Sequence, residues 1–203
     1  MHPNALFRND DRALHEALIE EVGFGMVFAQ TADGPRVAHT PIVSTGAKGS
    51  GGAVQFHLAR GNALAGHLVG QEALVLINGP DAYVTPRWYA DRDTVPTWDY
   101  VALELQGPVR KLAEEGLLAL LDAIAERHEQ RIAGEPWTRA GVDPARIARL
   151  IPGIVGFEME VRAWRPTFKL SQNKSAEDRA AIADALEAQG SPALAALIRT
   201  LAQ

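Results

Sequence analysis

Apolar and polar residues alternate strictly in three stretches of this chain, and that period of two constrains the fold more than any other feature. In Val54-Gln55-Phe56-His57-Leu58, Val54, Phe56 and Leu58 share one face while His57 takes the other. Val101, Leu103 and Leu105 alternate with Ala102, Glu104 and Gln106, and Phe157, Met159 and Val161 with Glu158, Glu160 and Arg162. Each stretch is a strand with one face in a core. Further strands are expected over 25–30 and 36–43, flanking the hairpin signal Ala32-Asp33-Gly34-Pro35, and over the apolar run 73–77. Helical signals do not alternate regularly with these strands. One helix begins near Asn9 or Asp10 as cap, repeats Leu14, Leu18 and Val22, and ends at Gly23. Others are expected over 62–68, 114–131 and 143–150, and two more follow Ser175, broken at Gly190-Ser191-Pro192. About six strands without a βαβ repeat predict a mainly β, mostly antiparallel barrel with inserted and appended helices, an α+β fold.

A chain of 203 residues can bury a sizeable core in one large domain with or without a small appendage. The absence of cysteine excludes disulfides, thiolate metal sites and cysteine nucleophiles. The opening segment 1–11 carries Arg8 and two aspartates and has no apolar core of signal-peptide length, and no uncharged apolar run approaches a membrane span. A soluble cytoplasmic protein is therefore expected, with no membrane partner. The net charge of −5 argues against an electrostatically driven nucleic-acid binder, which needs clustered Lys and Arg.

The glycine-rich loop 46–52 is not a phosphate loop, because Lys48 precedes the glycines and a strand follows. Gly23-Phe24-Gly25 likewise opens a strand, so it is no dinucleotide fingerprint. None of the six histidines has the helical spacing of a metal pair, and no metal site is expected. His39 and His57 differ from the others in sitting on strands, and His57 leads into the corner Arg60-Gly61-Asn62.

That corner is the strongest site candidate read from the residues themselves. A strand end supplies Arg60, Gly61 allows close backbone approach, and Asn62 can cap a helix whose N-terminus would attract phosphate. The alternative is a surface arginine beside a structural cap. The segment 79–100 holds two of the four tryptophans and all three tyrosines among prolines, in keeping either with a binding or subunit surface or with a stiffened loop folded on its own core.

Several pieces of the chain occur together in a known family. They are His39-Thr40-Pro41, His57-Leu58-Ala59-Arg60-Gly61-Asn62, Gly79-Pro80 through Trp88-Tyr89, Val95-Pro96-Thr97-Trp98, Gly153-Ile154-Val155-Gly156-Phe157-Glu158 and Lys169-Leu170-Ser171-Gln172-Asn173-Lys174. In this order they resemble the PaiB-like family, named for flavin-mononucleotide (FMN) binding negative transcriptional regulators. The resemblance implies an FMN-binding split β-barrel, homodimeric, with the flavin in a groove at the interface. It implies that Arg60, the backbone near Ala59, and Asn62 hold the phosphate, with His57 on the strand leading in. His39, Thr40 and Pro41 would border the ring or ribityl chain, and Trp88, Thr97, Trp98, Lys169 and Gln172 would cover the flavin, some from the partner subunit.

This chain departs from the family pattern at Ala63, where proline is usual, at Asp99, where asparagine is usual, and over Ile77-Asn78-Gly79-Pro80-Asp81, where Phe-Gln-Gly-Pro-His is common. The expected organisation is a barrel domain over 1–174, with helices inserted at about 114–151, and a helical appendage over 175–203. The function implied is that of an FMN-binding regulator; a flavin-dependent oxidoreductase and a flavin or haem carrier are the alternatives. The terminal helices offer only Arg179 and Arg199 as basic residues, so direct DNA binding is not expected.

Overall fold

A computed structural model describes residues 2–46 and 51–202. Eight strands and five α-helices follow one another as α1 (Arg12–Val22), β1 (Phe24–Thr31), β2 (Gly34–Pro41), β3 (Val43–Ser44), β4 (Ala53–Ala59), β5 (Glu72–Val84), β6 (Thr97–Lys111), α2 (Glu114–Glu129), α3 (Pro144–Leu150), β7 (Ile154–Glu160), β8 (Ala163–Lys169), α4 (Ala176–Ala188) and α5 (Pro192–Leu201). The strand order is β2-β1-β5-β6-β7-β4-β3, with β8 also paired to β6. Neighbours β1 and β2, β1 and β5, β3 and β4, β4 and β7, and β6 and β7 run antiparallel. The mainly antiparallel fold class expected from the sequence is the one observed.

The chain divides into two compact units, one of residues 1–15, 78–103 and 165–203, the other of 16–77 and 104–164. In the second, the alternation in β4 and β7 does what the sequence pattern requires. Phe56 opposes Phe157 across the ladder, both are fully buried, and their rings stack at 5.6 Å. Helix α2 has no side-chain cap but opens with Glu114 and Glu115, favourable at the positive end of its dipole. Its buried Leu120 packs with Val43 and Leu112. Near its other end Arg127 reaches Glu20 at 2.6 Å and Ile42 O at 3.2 Å, fixing the helix against the end of α1. In the first unit, α4 and α5 bury Ile182, Ala183, Leu186, Leu194, Ala195 and Ile198.

Four local readings change. The start of α1 is held by Asp11, whose carboxylate accepts from Ala13 N at 2.9 Å, just past the expected Asn9 or Asp10. Strand β5 runs on through Gly79 and Pro80, and β6 begins at Thr97, so the irregular aromatic stretch shrinks to 85–96 around the 3-10 turn Pro86–Trp88. Strand β8, with Pro166 inside it, was not foreseen at all. A proline is compatible with a strand wherever the ladder does not need its missing N–H, which is why Pro80 and Pro166 do not break theirs. Residues 62–68 form successive turns rather than a helix. Of the glycine-rich loop 46–52, residues 47–50 lie outside the described residues. Gly51 has φ +77°, and a Cβ there would meet Val161 O at 2.7 Å, so glycine is required.

Candidate functional site

The predicted residues fall into two groups, one in each unit. In the unit of residues 16–77 and 104–164, β2 carries His39, Thr40 and Pro41, and β4 carries His57 and Ala59. His39, Ala59 and Arg60 are exposed, whereas Thr40 is buried and donates its hydroxyl proton to His57 O at 2.6 Å. That bond ties β2 to β4, and it commits the only proton Thr40 has to give. Burial pushes the His57 imidazole below its ordinary pKa, and its Nδ1 lies buried with no hydrogen-bond partner. Buried polar atoms normally find a partner, so this nitrogen marks a place where a ligand or water belongs.

Arg60 sits where β4 ends. Its backbone N donates to Gly153 O at 2.8 Å, its Nε to Pro152 O at 2.5 Å, and its Nη2 to Ile154 O at 3.4 Å. The guanidinium is therefore braced against the start of β7 rather than loose in solvent. Asn62 accepts from Leu64 N at 2.9 Å through Oδ1, pinning the first turn after the corner. With turns in place of a helix, no helix dipole acts here, and the positive charge at this corner is that of Arg60.

In the unit of residues 1–15, 78–103 and 165–203, Thr97, Trp98 and Lys169 meet, and Trp88 and Gln172 belong to the same unit without a hydrogen bond to them. Lys169 Nζ donates to Thr97 Oγ1 at 2.7 Å, to Trp98 O, and to Asp99 Oδ1 at 3.3 Å. The Phe7 ring centroid lies 5.7 Å from the same ammonium. Gln172 closes the turn after β8, accepting from Leu170 N at 2.8 Å and donating to Phe168 O. Trp88 lies in the 3-10 turn Pro86–Trp88, whose first turn Thr85 caps by accepting from Arg87 N at 3.3 Å. The Trp98 ring is half exposed and meets Tyr83 edge-on at 6.2 Å. An open cavity of about 240 Å³ is lined by Asn78, Gly79, Asp81, Trp98, Tyr100 and Val101. A larger one, about 550 Å³, lies between α2 and the segment around Trp137 and contains none of the predicted residues.

Three residues that were not assigned to the site belong to this second group. Asp99 is fully buried, and Ser171 donates to its Oδ2 at 2.5 Å. Burial pushes the Asp99 carboxyl above its ordinary pKa, opposed by the Ser171 hydrogen bond and by Lys169. Tyr89 is also buried, its hydroxyl without a partner, and its pKa is raised by burial and then by Asp99 and Asp178. Asp99 was visible in the sequence only as an unusual residue after Trp98; its pairing partner lies 70 positions away.

A family model described as "Putative FMN-binding domain" matches residues 1–163. The chain belongs to this FMN-binding family. Protease synthase and sporulation protein PAI 2 of Bacillus subtilis is 28% identical over 175 residues, spanning 86% of this chain and 83% of its own, so the PaiB-like resemblance holds. Among solved structures, a FAD and heme binding protein from Mycobacterium smegmatis superposes with a TM-score of 0.60 at 14% identity, covering 84% of this chain and 77% of that one. A flavocytochrome from Azotobacter vinelandii gives 0.59 at 14%, covering 83% and 72%. At these identities the two structures speak for the fold alone. The fold is the split β-barrel type of this FMN-binding family, and the cofactor of this PaiB-like protein is FMN. Among the described residues, no helix is long and apolar enough to cross a membrane.

Proposed function

We propose that the chain works as a homodimer that acts through FMN, with the phosphate taken by Arg60 and the backbone of Ala59 and Asn62, and the ring bordered by His39, Thr40, Pro41 and His57. Trp88, Thr97, Trp98, Lys169 and Gln172 cover it, with contributions from the partner subunit. The observation that carries this reading is the gathering of Thr97, Trp98 and Asp99 around the Lys169 ammonium, in a chain whose family binds FMN. The donor set suits the ligand. FMN needs a cation for its phosphate, donors for the polar edge of its ring and apolar faces to stack on, and these residues supply each. The unpartnered Nδ1 of His57 adds a buried polar atom awaiting a contact.

Bound FMN supplies electron transfer that side chains cannot perform; the protein binds, orients and shields it. The part of Lys169 is electrostatic, because its three N–H bonds are taken by Thr97, Trp98 and Asp99. Since Lys169 donates to Thr97 Oγ1, the hydroxyl proton of Thr97 is left to point at a ligand.

A second reading keeps the family's regulatory role, with flavin as the sensed molecule. It does not run through DNA contact by the terminal helices. Arg199 is paired with Asp184 at 2.8 Å and Glu187 at 2.7 Å, and Arg179 donates to Lys174 O at 2.7 Å. Binding of the chain to a DNA fragment carrying its own promoter, measured at low and physiological salt, tests this. Phosphate contacts would make affinity fall steeply with salt. We expect no such specific, salt-dependent binding; finding it would restore a direct DNA-reading regulator.

A further inference from the structure

The ammonium of Lys169 has three N–H bonds, and Thr97 Oγ1, Trp98 O and Asp99 Oδ1 take all three. What it can offer a neighbouring ligand is charge, not a hydrogen bond. Asp99 is the counter-charge, and its carboxylate is fixed on the other side by Ser171. Ser171 has φ +59°, a left-handed conformation that a non-glycine residue holds only where its surroundings enforce it. Here that conformation accompanies a 2.5 Å hydrogen bond to Asp99 Oδ2. The other ionisable group facing the carboxylate is Tyr89, flanked in turn by Asp178 and by Lys174, whose ammonium lies 4.1 Å over the Tyr89 ring. A buried ion pair is a poor stabilising device, because desolvation offsets the attraction. The pair needs another explanation.

We propose that Asp99 is a positioning residue that holds and electrically balances Lys169, so that the pair sets the reduction potential of FMN bound beside it. This rests on the reading of Lys169 as a neighbour of the flavin. Oxidised FMN takes up two electrons and one proton to give an anionic reduced ring; in the experiment a chemical reductant such as dithionite supplies the electrons and the buffer the proton. A lone ammonium beside that anion favours the reduced state, and the Asp99 carboxylate cancels most of the effect.

The test is the potential of FMN bound to the full-length wild type, Asp99→Asn, Lys169→Gln and the double variant, by equilibrium reduction against a reference dye. Asp99→Asn is expected to raise the potential and Lys169→Gln to lower it, each by on the order of tenfold in the ratio of reduced to oxidised FMN affinities, about 30 mV for a two-electron couple. The double variant should return close to wild type. A purely packing role would change affinity for both flavin states alike and leave that ratio fixed, which would overturn the proposal, as would shifts of the same sign in both single variants. Should Asp99→Asn fail to fold, Lys169→Gln decides alone: a lowered potential supports the proposal and an unchanged one overturns it. If wild type binds FMN but Lys169→Gln alters neither affinity nor potential, the inference falls while FMN binding stands. Wild type that binds no FMN would instead overturn the flavin reading itself.

Discussion

Asp99 is fully buried and Arg60 is exposed, and each makes a separate prediction. Unfolded, an aspartate titrates near 3.9. In the fold burial raises the Asp99 carboxyl above its ordinary value, despite Ser171 and Lys169. Between the two values the folded chain holds a proton that the unfolded chain has lost, so Asp99 costs stability as pH rises through that window. Asparagine cannot titrate. The melting temperature of Asp99→Asn relative to wild type is therefore expected to rise from about pH 4 upward and then level off. Thermal melts of the flavin-free proteins across that range check it; parallel curves would contradict it. For Arg60, replacement by alanine removes a charge-assisted hydrogen bond worth about 1.5–3 kcal/mol, so FMN affinity should fall by roughly one to two orders of magnitude. Riboflavin, which lacks the phosphate, should lose far less. Because Arg60 also braces Pro152 and Ile154, equal losses for both flavins would mean that the corner had been loosened rather than a phosphate contact removed. Titration of both flavins into wild type and variant separates these outcomes. Arg60 and Lys169 stood out as candidates in the sequence because they sit in motifs. The Asp99–Lys169 pair did not, because it depends on β8 lying beside β6, and β8 was hidden by Pro166.

At the scale of elements, the three strands with strict alternation were legible in place, since a half-buried strand has no other way to write its two faces, but β6 (Thr97–Lys111) extends well beyond the stretch 101–106 at both ends and β7 (Ile154–Glu160) lies earlier than the stretch 157–162. Those that failed contain prolines or glycines. Pro80 made the second half of β5 look irregular, and the turns over 62–68 resembled a helix because Asn62 does cap, but only as far as Leu64 N. Gly107 in β6 shows the reverse case, a strand glycine with a packing reason. A Cβ there would lie 1.7 Å from Glu160 O, in the place where β7 passes. Gly107→Ala must push those backbones apart and is expected to cost at least about 2 kcal/mol, or roughly 4–8 °C in melting temperature. Calorimetry of the variant checks this, and an unchanged transition would show that β6 and β7 give way more easily than the geometry allows.

At the scale of the whole molecule, the two compact units were not legible in the sequence, because each is assembled from segments far apart in the chain. Fold class and cofactor were nevertheless within reach, one through periodicity and the absence of βαβ repeats, the other through motifs spread over most of the chain. The predicted site residues divide between the two units. We propose that a second copy of the chain completes the cofactor site. The side chains of Tyr83, Val95 and Trp98 are exposed and would offer apolar surface for such a contact. Sedimentation velocity of the purified chain mixed with FMN, recorded at both the protein and the visible flavin absorbance, tests this most directly. The account predicts a single dimeric species that carries the flavin signal at one FMN per chain. A monomer at micromolar concentration, or a protein boundary from which the flavin separates, would contradict it.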